Sequence, residues 1–466
     1  MFNLQSFADH IVSVHPDGTH HTYGELAQDT QELNGHLQAH ALVFCLCENN
    51  YESLVGYVAM VNHGNVALML DAHIEESAFD TLCRTYRPPY IWRPVNGIRE
   101  DKDGKVVYRL GSYALISTGE VQNKPLPDEL SVLLTTSGST GSPKLVRLSK
   151  KNLLSNAQSI VEYLHITADE RPITGLPMYY SFGLSIINSH LLVGATLLMT
   201  SDSYVQREFW VFANEQGFTS FSGIPYTFEI LKKLRFWSMK CPTLKTLTQA
   251  GGKLNNELLQ FFIENGREKG VTFYLMYGQT EATARMSYLP PEQSLSKLGS
   301  IGKGIPGGHF YLQDDDGSII DVPNVVGELV YEGDNVSLGY AENPEDLYKQ
   351  DENHGILHTG DLAYRDDDGF YYIAGRKKRF LKLFGNRVSL DYIETLLKAY
   401  LKECVCVGND SQLIVYTTDD EFNADMIIDF LVNRTKILRS VFSVRHINQI
   451  PRSDTGKILY KELPIE

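Results

Sequence analysis

Cysteine is scarce in this chain of 466 residues. The six are Cys45, Cys47, Cys83, Cys241, Cys404 and Cys406, and no CxxC pair exists. The two CxC pairs lie in strand-like runs, FCLCE and CVCVG. Alternation puts both thiols of a pair on one face, a poor arrangement for a metal, so buried inert thiols are expected. No apolar run reaches ~18 residues, so no membrane-spanning helix is expected. The opening MFNLQSFADHIVSVHPDG has no basic segment followed by an apolar core, so no secretory leader is expected. The cytoplasm follows as the default location. Positive charge is in deficit, with 42 Lys and Arg against 57 Asp and Glu, a net charge of −15. That balance excludes a protein whose main work is holding nucleic acid or an anionic membrane, but leaves room for a basic pocket around a phosphorylated small molecule. Internal repeats and low-complexity linkers are also missing.

What is there reads as an ordinary globular chain, 43% hydrophobic and 21% charged. Its length suggests several folding units. In the first third, ALVFCLCEN (41–49) predicts a buried strand. Residues 53–74 predict a helix, a glycine break and a strand, and PPYIWRP (88–94) another strand. Apolar runs alternating with helices predict a largely parallel sheet covered on both faces. DKDGKVVYRLGSYALIST predicts a surface hairpin around its DG turn. The middle repeats the theme, with a helix over 152–164, strands in FTSFSG, LKTLTQ and VTFYLMYG, and an amphipathic helix in NNELLQFFIENGREKG with NG near its end. After about residue 295, short segments with DG and GG turns predict antiparallel hairpins. Each DDDG run reads as a solvated turn rather than a metal site. The last 90 or so residues read as a small α+β module.

The sharpest local feature is TTSGSTGSPK, from Thr135 to Lys144. Gly138 and Gly141 permit turns and close backbone approach. Thr136, Ser137, Ser139 and Thr140 add hydroxyls, and Lys144 adds a positive charge. Short donors with one cation suit a polyphosphate. The loop is expected to follow a strand and to run into a helix starting near residue 149. The GxxxxGK[ST] spacing of a Walker A loop is absent. A flexible polar loop is the alternative reading of the same residues.

This loop resembles the phosphate-binding signature of the adenylate-forming superfamily, which includes acyl-CoA synthetases, peptide-synthetase adenylation domains, D-alanine–carrier ligases and firefly luciferase. YGQTEAT (277–283), GELVYEGDNVSLGY (327–340), HTGDLAYRDDDGFYYIAGR (358–376), FLKLFGNRVSLDYIE (380–394) and PRSDTGKILYKEL (451–463) resemble its further motifs, in the family's order. TYGEL (22–26) matches a weaker N-terminal pattern. The resemblance implies an α/β fold: a large N-terminal domain over 1–376, made of stacked α/β subdomains with a small β subdomain from about 295, and a small mobile α+β lid over 377–466, hinged at Lys378.

It also implies chemistry. A carboxylate attacks the α-phosphorus of ATP, pyrophosphate leaves, and a thiol takes the acyl group from the resulting acyl-adenylate. Such a reaction needs in-line positioning and charge neutralisation. By resemblance, Thr136, Ser137, Gly138, Ser139, Thr140, Gly141 and Lys144 hold the terminal phosphates. Thr280 contacts the α-phosphate and Glu281 helps hold Mg²⁺. Gly251, Gly252 and Tyr277 frame the adenine, while Asp361 accepts from the ribose hydroxyls with Arg376 alongside. Lys457 follows the charge moving between carboxylate and phosphate. Taken singly, Glu281 reads equally as a surface acid, Tyr277 as a core tyrosine, Asp361 as a turn residue and Lys457 as a solvated lysine. Lys377, Arg379, Lys382 and Arg387 offer positive charge to a phosphorylated pantetheine, or form a solvated basic face.

LPMYYSFGLS (176–185) resembles the family's substrate-side segment. Tyr180 is expected as an aromatic gate or a packing residue, and Ile224, Pro225 and Tyr226 as one pocket wall. Many amino-acid-activating domains have aspartate at the position of Ser181, to pair with the substrate ammonium. Serine cannot do so, and an unpaired buried ammonium is costly. An acyl or hydroxyacyl substrate is therefore favoured over an α-amino acid, with a D-alanine-like carrier ligase as the alternative. Only nine residues follow PRSDTGK, so the acceptor is expected to be a separate molecule, coenzyme A or a carrier-protein phosphopantetheine. An amine or oxygen acceptor and a non-catalytic nucleotide-binding scaffold are the further alternatives.

Overall fold

The structure is a computed structural model. It describes all residues except 136–143, 378, 384–385, 410, 436, 453–457 and 466, and leaves out the side chains of Glu100, Asp101, Phe380, Lys382, Asn386, Arg387, Ser389 and Lys461. The chain divides into two compact units. One comprises Met1–His309 and Tyr331–Leu357; the other comprises Phe310–Val330 and His358–Glu466.

The larger unit is built on an eight-stranded sheet. Its centre is parallel, in the order Leu130–Thr135, Val66–Asp71, Leu42–Cys47 and Tyr90–Pro94. The alternation of side chains explains its burial. Val43, Cys45 and Cys47 enter one core with Leu54, Val55 and Val58 of the helix Tyr51–His63. Leu42, Phe44 and Leu46 enter the opposite core with Phe79, Leu82 and Tyr86 of the helix Glu76–Tyr86. A strand covered on both faces reads as an unbroken apolar run, as LVFCLC does. Burial pushes the Cys45 thiol up to about 12 and the Cys47 thiol well above its ordinary value, so neither ionises at neutral pH. All six cysteines are free.

Antiparallel strands flank this parallel centre. Lys105–Leu110 and Tyr113–Ser117 form the expected hairpin, but it turns at Gly111–Ser112 rather than at the DG pair. Its second strand pairs with Tyr90–Pro94, and four of its five residues are buried, so it is part of the main sheet and not a surface excursion.

A second sheet in the same unit runs Ser220–Gly223, Thr246–Gln249, Thr272–Tyr277, Ser287–Leu289 and Lys303–Gly304. The first three strands are parallel and the last two antiparallel. The helix Asn256–Lys269 runs straight through its Asn265–Gly266 pair and stops at Gly270, whose φ of 71° no β-carbon residue adopts cheaply.

Gly308–Gln313, Gly327–Gly333, Ile356–Arg365 and Tyr371–Arg376 order into a sheet, most of whose residues belong to the smaller unit. A second core gathers Leu383, Ile393, Leu397, Cys406, Val415 and Leu431. Cys404–Asn409 pairs antiparallel with Gln412–Thr417, which pairs parallel with Phe442–His446. That parallel step requires the crossover supplied by the helix Ala424–Thr435. Both DDDG runs are exposed turns in which Asp314 and Asp366 accept from backbone amides of the same turn. Among the described residues, no helix is long and apolar enough to cross a membrane.

Candidate functional site

Three parallel strands end side by side in the second sheet of the larger unit. Gly223 pairs with Gln249, and Gln249 with Leu275. Ile224, Gly251, Gly252 and Tyr277 therefore emerge at neighbouring carboxyl ends. Beside them the sheet switches from parallel to antiparallel at Thr272–Tyr277. Crevices at such strand ends are where α/β proteins bind ligands. Gly251 has φ +85°, and a β-carbon there would lie 2.7 Å from Tyr180 Oη and 3.2 Å from Ile224 Cγ2. Only glycine lets these three residues meet. Tyr180 caps the helix Ser181–Leu192, and burial pushes its phenol up to about 12. The Pro225 ring closes on Gly252 in the same way, 3.1 Å from where a β-carbon would stand. Gln279 Nε2 donates to Tyr277 Oη at 3.1 Å. Tyr226 stands 46% exposed.

Thr280 and Glu281 lie in the short helical turn Thr280–Ala282. The next residue, Thr283, has φ +67°, which costs free energy for a β-branched side chain. Buried hydrogen bonds hold it there. Thr283 Oγ1 donates to the Asn335 carbonyl at 2.7 Å, and Asn335 Nδ2 donates to the Ala282 carbonyl at 2.9 Å. Tyr331 Oη donates to Asn335 Oδ1, and the Ser337 amide donates to the Glu281 carbonyl. The segment around Asn335 thus fixes the turn that presents Glu281.

The side chains of this turn are linked in both directions. Thr280 Oγ1 and Ser181 Oγ share a hydrogen bond of 3.1 Å. Tyr340 Oη donates to Glu281 Oε1 at 2.8 Å, and burial, with Glu281 adding to it, raises the Tyr340 phenol. Lys144 Nζ lies 3.5 Å from the centre of the Tyr340 ring and 3.6 Å from Glu342 Oε1. Sheet register makes that contact, since Tyr340–Ala341 pairs antiparallel with Leu145–Ser149. Lys144, Tyr340, Glu281, Thr280 and Ser181 form one connected row. Among the described residues no cluster of three metal-binding side chains exists. A single carboxylate engaged at one oxygen, with hydroxyls beside it, still fits Mg²⁺, which takes one or two carboxylates and completes its shell with phosphate and water.

Thr136, Ser137, Gly138, Ser139, Thr140, Gly141, Lys378, Lys457 and the side chains of Lys382 and Arg387 lie outside the described residues. The strand before the glycine loop and the helix start near residue 149 are as expected, but a further strand lies between loop and helix. A strand, Leu145–Ser149, follows it and pairs antiparallel with Leu130–Thr135. The helix Lys150–Leu164 begins only after that strand, where Ser149 and Asn152 cap each other's backbone. The loop therefore joins two strands instead of entering a helix N-terminus.

In the smaller unit Asp361 sits directly across the hairpin from Arg376 and is 4% exposed. Arg376 Nε lies 3.2 Å from Asp361 Oδ1, and the Asp361 amide donates to Thr359 Oγ1. Two of the basic residues read as a pantetheine-facing group are otherwise engaged. Lys377 Nζ donates to Glu328 Oε2 at 2.7 Å. Arg379 pairs with Asp391 and Glu394, donates to the Cys406 carbonyl and stacks on Tyr460. Burial of that cluster raises the Glu394 carboxyl despite its arginine partner.

The sequence reading assigned no role to Tyr340, Asn335 or Arg285, although all three stand inside or next to quoted motifs. Arg285 carried the clearest signal, a full charge four residues after Glu281 and two before the strand Ser287–Leu289. It is 2% exposed. Its Nε donates to Ser185 Oγ at 3.1 Å, and its guanidinium lies over the Phe182 ring.

Comparison with known proteins covers nearly the whole chain. A family model described as AMP-binding enzyme matches residues 3–341. A 2-succinylbenzoate–CoA ligase of Bacillus cereus (strain AH820) is 25% identical over 435 residues, 90% of this chain and 87% of that one. A probable CoA ligase of Humulus lupulus is 26% identical over 360 residues, covering 74% and 67%. Among solved structures, the O-succinylbenzoate coenzyme A synthetase of Bacillus subtilis in complex with AMP has the same fold. The TM-score is 0.80 at 21% identity, covering 99% and 98% of the two chains. The same enzyme with ATP and magnesium gives a TM-score of 0.78.

Proposed function

This chain belongs to the AMP-binding enzyme family, and from that premise we propose that it is an ATP-dependent, AMP-forming carboxylate–CoA ligase. One observation carries the reading most. Tyr180, Ile224 and Gly251 meet at the ends of parallel strands, in the same unit as the connected row Lys144–Tyr340–Glu281 and Thr280–Ser181. An apolar wall for an acyl group thus accompanies oxygen donors and a cation suited to phosphate.

In this reading the loop 136–144 holds the terminal phosphates and Glu281 holds Mg²⁺, which neutralises phosphate charge when bound. Thr280 donates to the α-phosphate. Its hydrogen bond with Ser181 orients that hydroxyl before substrate arrives. Gly251, Gly252 and Tyr277 frame the adenine. Asp361 accepts from the ribose hydroxyls, with Arg376 holding the carboxylate in place. Lys457 stabilises the charge that builds up as the acid attacks. The lid over 377–466, hinged at Lys378, separates adenylation from thiol transfer. The curated relatives are CoA ligases, which supports coenzyme A as the thiol; a carrier-protein thiol is the other acceptor to try. Six unpaired cysteines support a reducing compartment, the cytoplasm.

The test is ATP–pyrophosphate exchange across short, long, aromatic, hydroxy and amino acids, followed by thioester detection with coenzyme A. Acid-dependent exchange is the expected result. ATP binding with no exchange and no acyl-hydroxamate from any acid would leave only a nucleotide-binding scaffold.

A further inference from the structure

Buried arginines in this protein come in two kinds. Arg147 is fully buried, and its guanidinium meets the carbonyls of Leu338, Tyr340, Lys349 and Gln350 and the Glu352 carboxylate. Arg93 is paired with the Asp103 carboxylate at 2.8 Å. Both are structural, since each buried charge has a carboxylate counter-charge, even though Arg93 Nε is left without a hydrogen-bond partner. Arg285 is different. Its partners are all neutral: Ser185 Oγ at 3.1 Å, Tyr163 Oη at 3.3 Å, Met276 Sδ at 3.6 Å and the Phe182 ring at 5.1 Å. No carboxylate pairs with it among the described residues. Its Nη2 has no hydrogen-bond partner there, yet it is not one of the sealed, unsatisfied atoms of the interior, so it keeps some accessible surface.

A buried guanidinium without an anion is costly. Folds keep one where an incoming anion supplies the missing charge. The surroundings say which ligand that is. Phe182, Tyr163 and Met276 belong to the same apolar cluster as Tyr180, Ile224 and Ala250, the wall next to Gly251. One helix connects the two polar points. Ser181 Oγ touches Thr280, and Ser185 Oγ touches Arg285. Residues four apart lie on one face, about 6 Å along the axis.

We propose that Arg285 is a specificity-determining residue that binds a second anionic group of the acid, so that the substrate is a diacid whose distal carboxylate pairs with Arg285 while the other reacts beside Thr280. The proposal rests on the ligase reading above. It sets a length: two carboxylates held by groups about one helical turn apart, with apolar carbon between them against Phe182 and Tyr180. A flat or short-chain diacid meets that requirement, and a long fatty acid does not.

The experiment compares matched acids on the whole protein. Straight-chain diacids from succinate to suberate, and benzene-ring acids with one or two carboxylates, are set against monoacids of equal length in pyrophosphate exchange. Binding of each is measured separately by calorimetry without ATP. Wild-type protein is expected to prefer a diacid, and Arg285→Met to cut the diacid-to-monoacid ratio of kcat/KM by about 100-fold, the loss expected for a charge-assisted hydrogen bond. Arg285→Lys should restore part of the ratio. Wild-type preference for monoacids overturns the proposal without needing any variant, and leaves the ligase reading intact. Diacid binding that depends on Arg285, with no exchange from any acid, overturns the ligase reading and upholds the anion site. Absence of both diacid binding and diacid exchange overturns the proposal.

Discussion

At Gly251 a single methyl group decides whether the strand ends can form a site. Gly251→Ala would drive a β-carbon to 2.7 Å from Tyr180 Oη, at a φ of +85° that alanine resists. The expected cost is about 1–3 kcal/mol of stability, read by urea denaturation, together with weaker acid-dependent pyrophosphate exchange. An unchanged midpoint and unchanged exchange would show that Tyr180 and Ile224 move aside freely. His190 makes a second residue-scale prediction. Burial lowers its pKa to about 4, its hydrogen bond to the Ile186 carbonyl opposes that, and Arg285 lowers it further. The folded protein thus holds His190 neutral where the unfolded chain protonates it. The sign follows: stability is full above the ordinary histidine range near 6.5 and falls as pH drops towards 4. The loss amounts to about 3 kcal/mol at its largest. Unfolding free energies of wild type and His190→Asn, measured from pH 7.5 to 4.5, should show a shallower fall in the variant. Residue types in the motifs were legible from sequence alone. The neutral cage around Arg285 was not, because Ser185, Tyr163 and Met276 come to it from distant segments.

At the scale of elements, strand and helix patterns were readable wherever one residue type punctuated the chain. LVFCLC announced a doubly covered strand, and the helix Tyr51–His63 ends at Gly64 as its break suggested. The strand after the glycine loop was not readable. LVRLS is five residues long and passes directly into a helix, and its pairing with Leu130–Thr135 is a long-range choice. The capping box at the following junction does more than start the helix. Asn152 Nδ2 also donates to the carbonyls of Asp334 and Val336, the segment that holds the Glu281 turn. Ser149→Ala should cost about 1 kcal/mol. Asn152→Ala should cost more, because it also leaves the buried Val336 carbonyl and the partly buried Asp334 carbonyl without this donor. Chemical denaturation of both variants orders them. Equal losses would mean that the link to residues 334–336 contributes nothing to stability.

For the whole molecule, the expectation is a division of labour between two half-reactions. Lys457→Ala is predicted to depress adenylate formation by about 100- to 1,000-fold, the scale seen when a preorganised charge stabiliser is removed. Transfer from supplied acyl-adenylate to coenzyme A should be largely spared. Lys378→Pro should do the reverse, sparing adenylation more than transfer, because proline restricts the proposed hinge. Stopped assays of the two half-reactions distinguish the variants. Equal loss in both halves for Lys457→Ala would contradict a lid that serves them in turn.

By itself the sequence determined the kinds of chemistry present and their order along the chain. Glycine, hydroxyl, carboxylate and lysine motifs carry their meaning in residue type and spacing, which are local. It determined the α/β character too, since burial on one face or two is written in the period of apolar residues. Only tertiary structure decided which of those residues meet. Tyr340 reaches Glu281 and Lys144 through strand pairing between residues far apart in sequence. Arg379 and Lys377 face carboxylates where a basic stretch alone would suggest a free surface. A charge is read from one letter, but its partner is set by packing, and partnership separates a structural arginine from one awaiting a ligand.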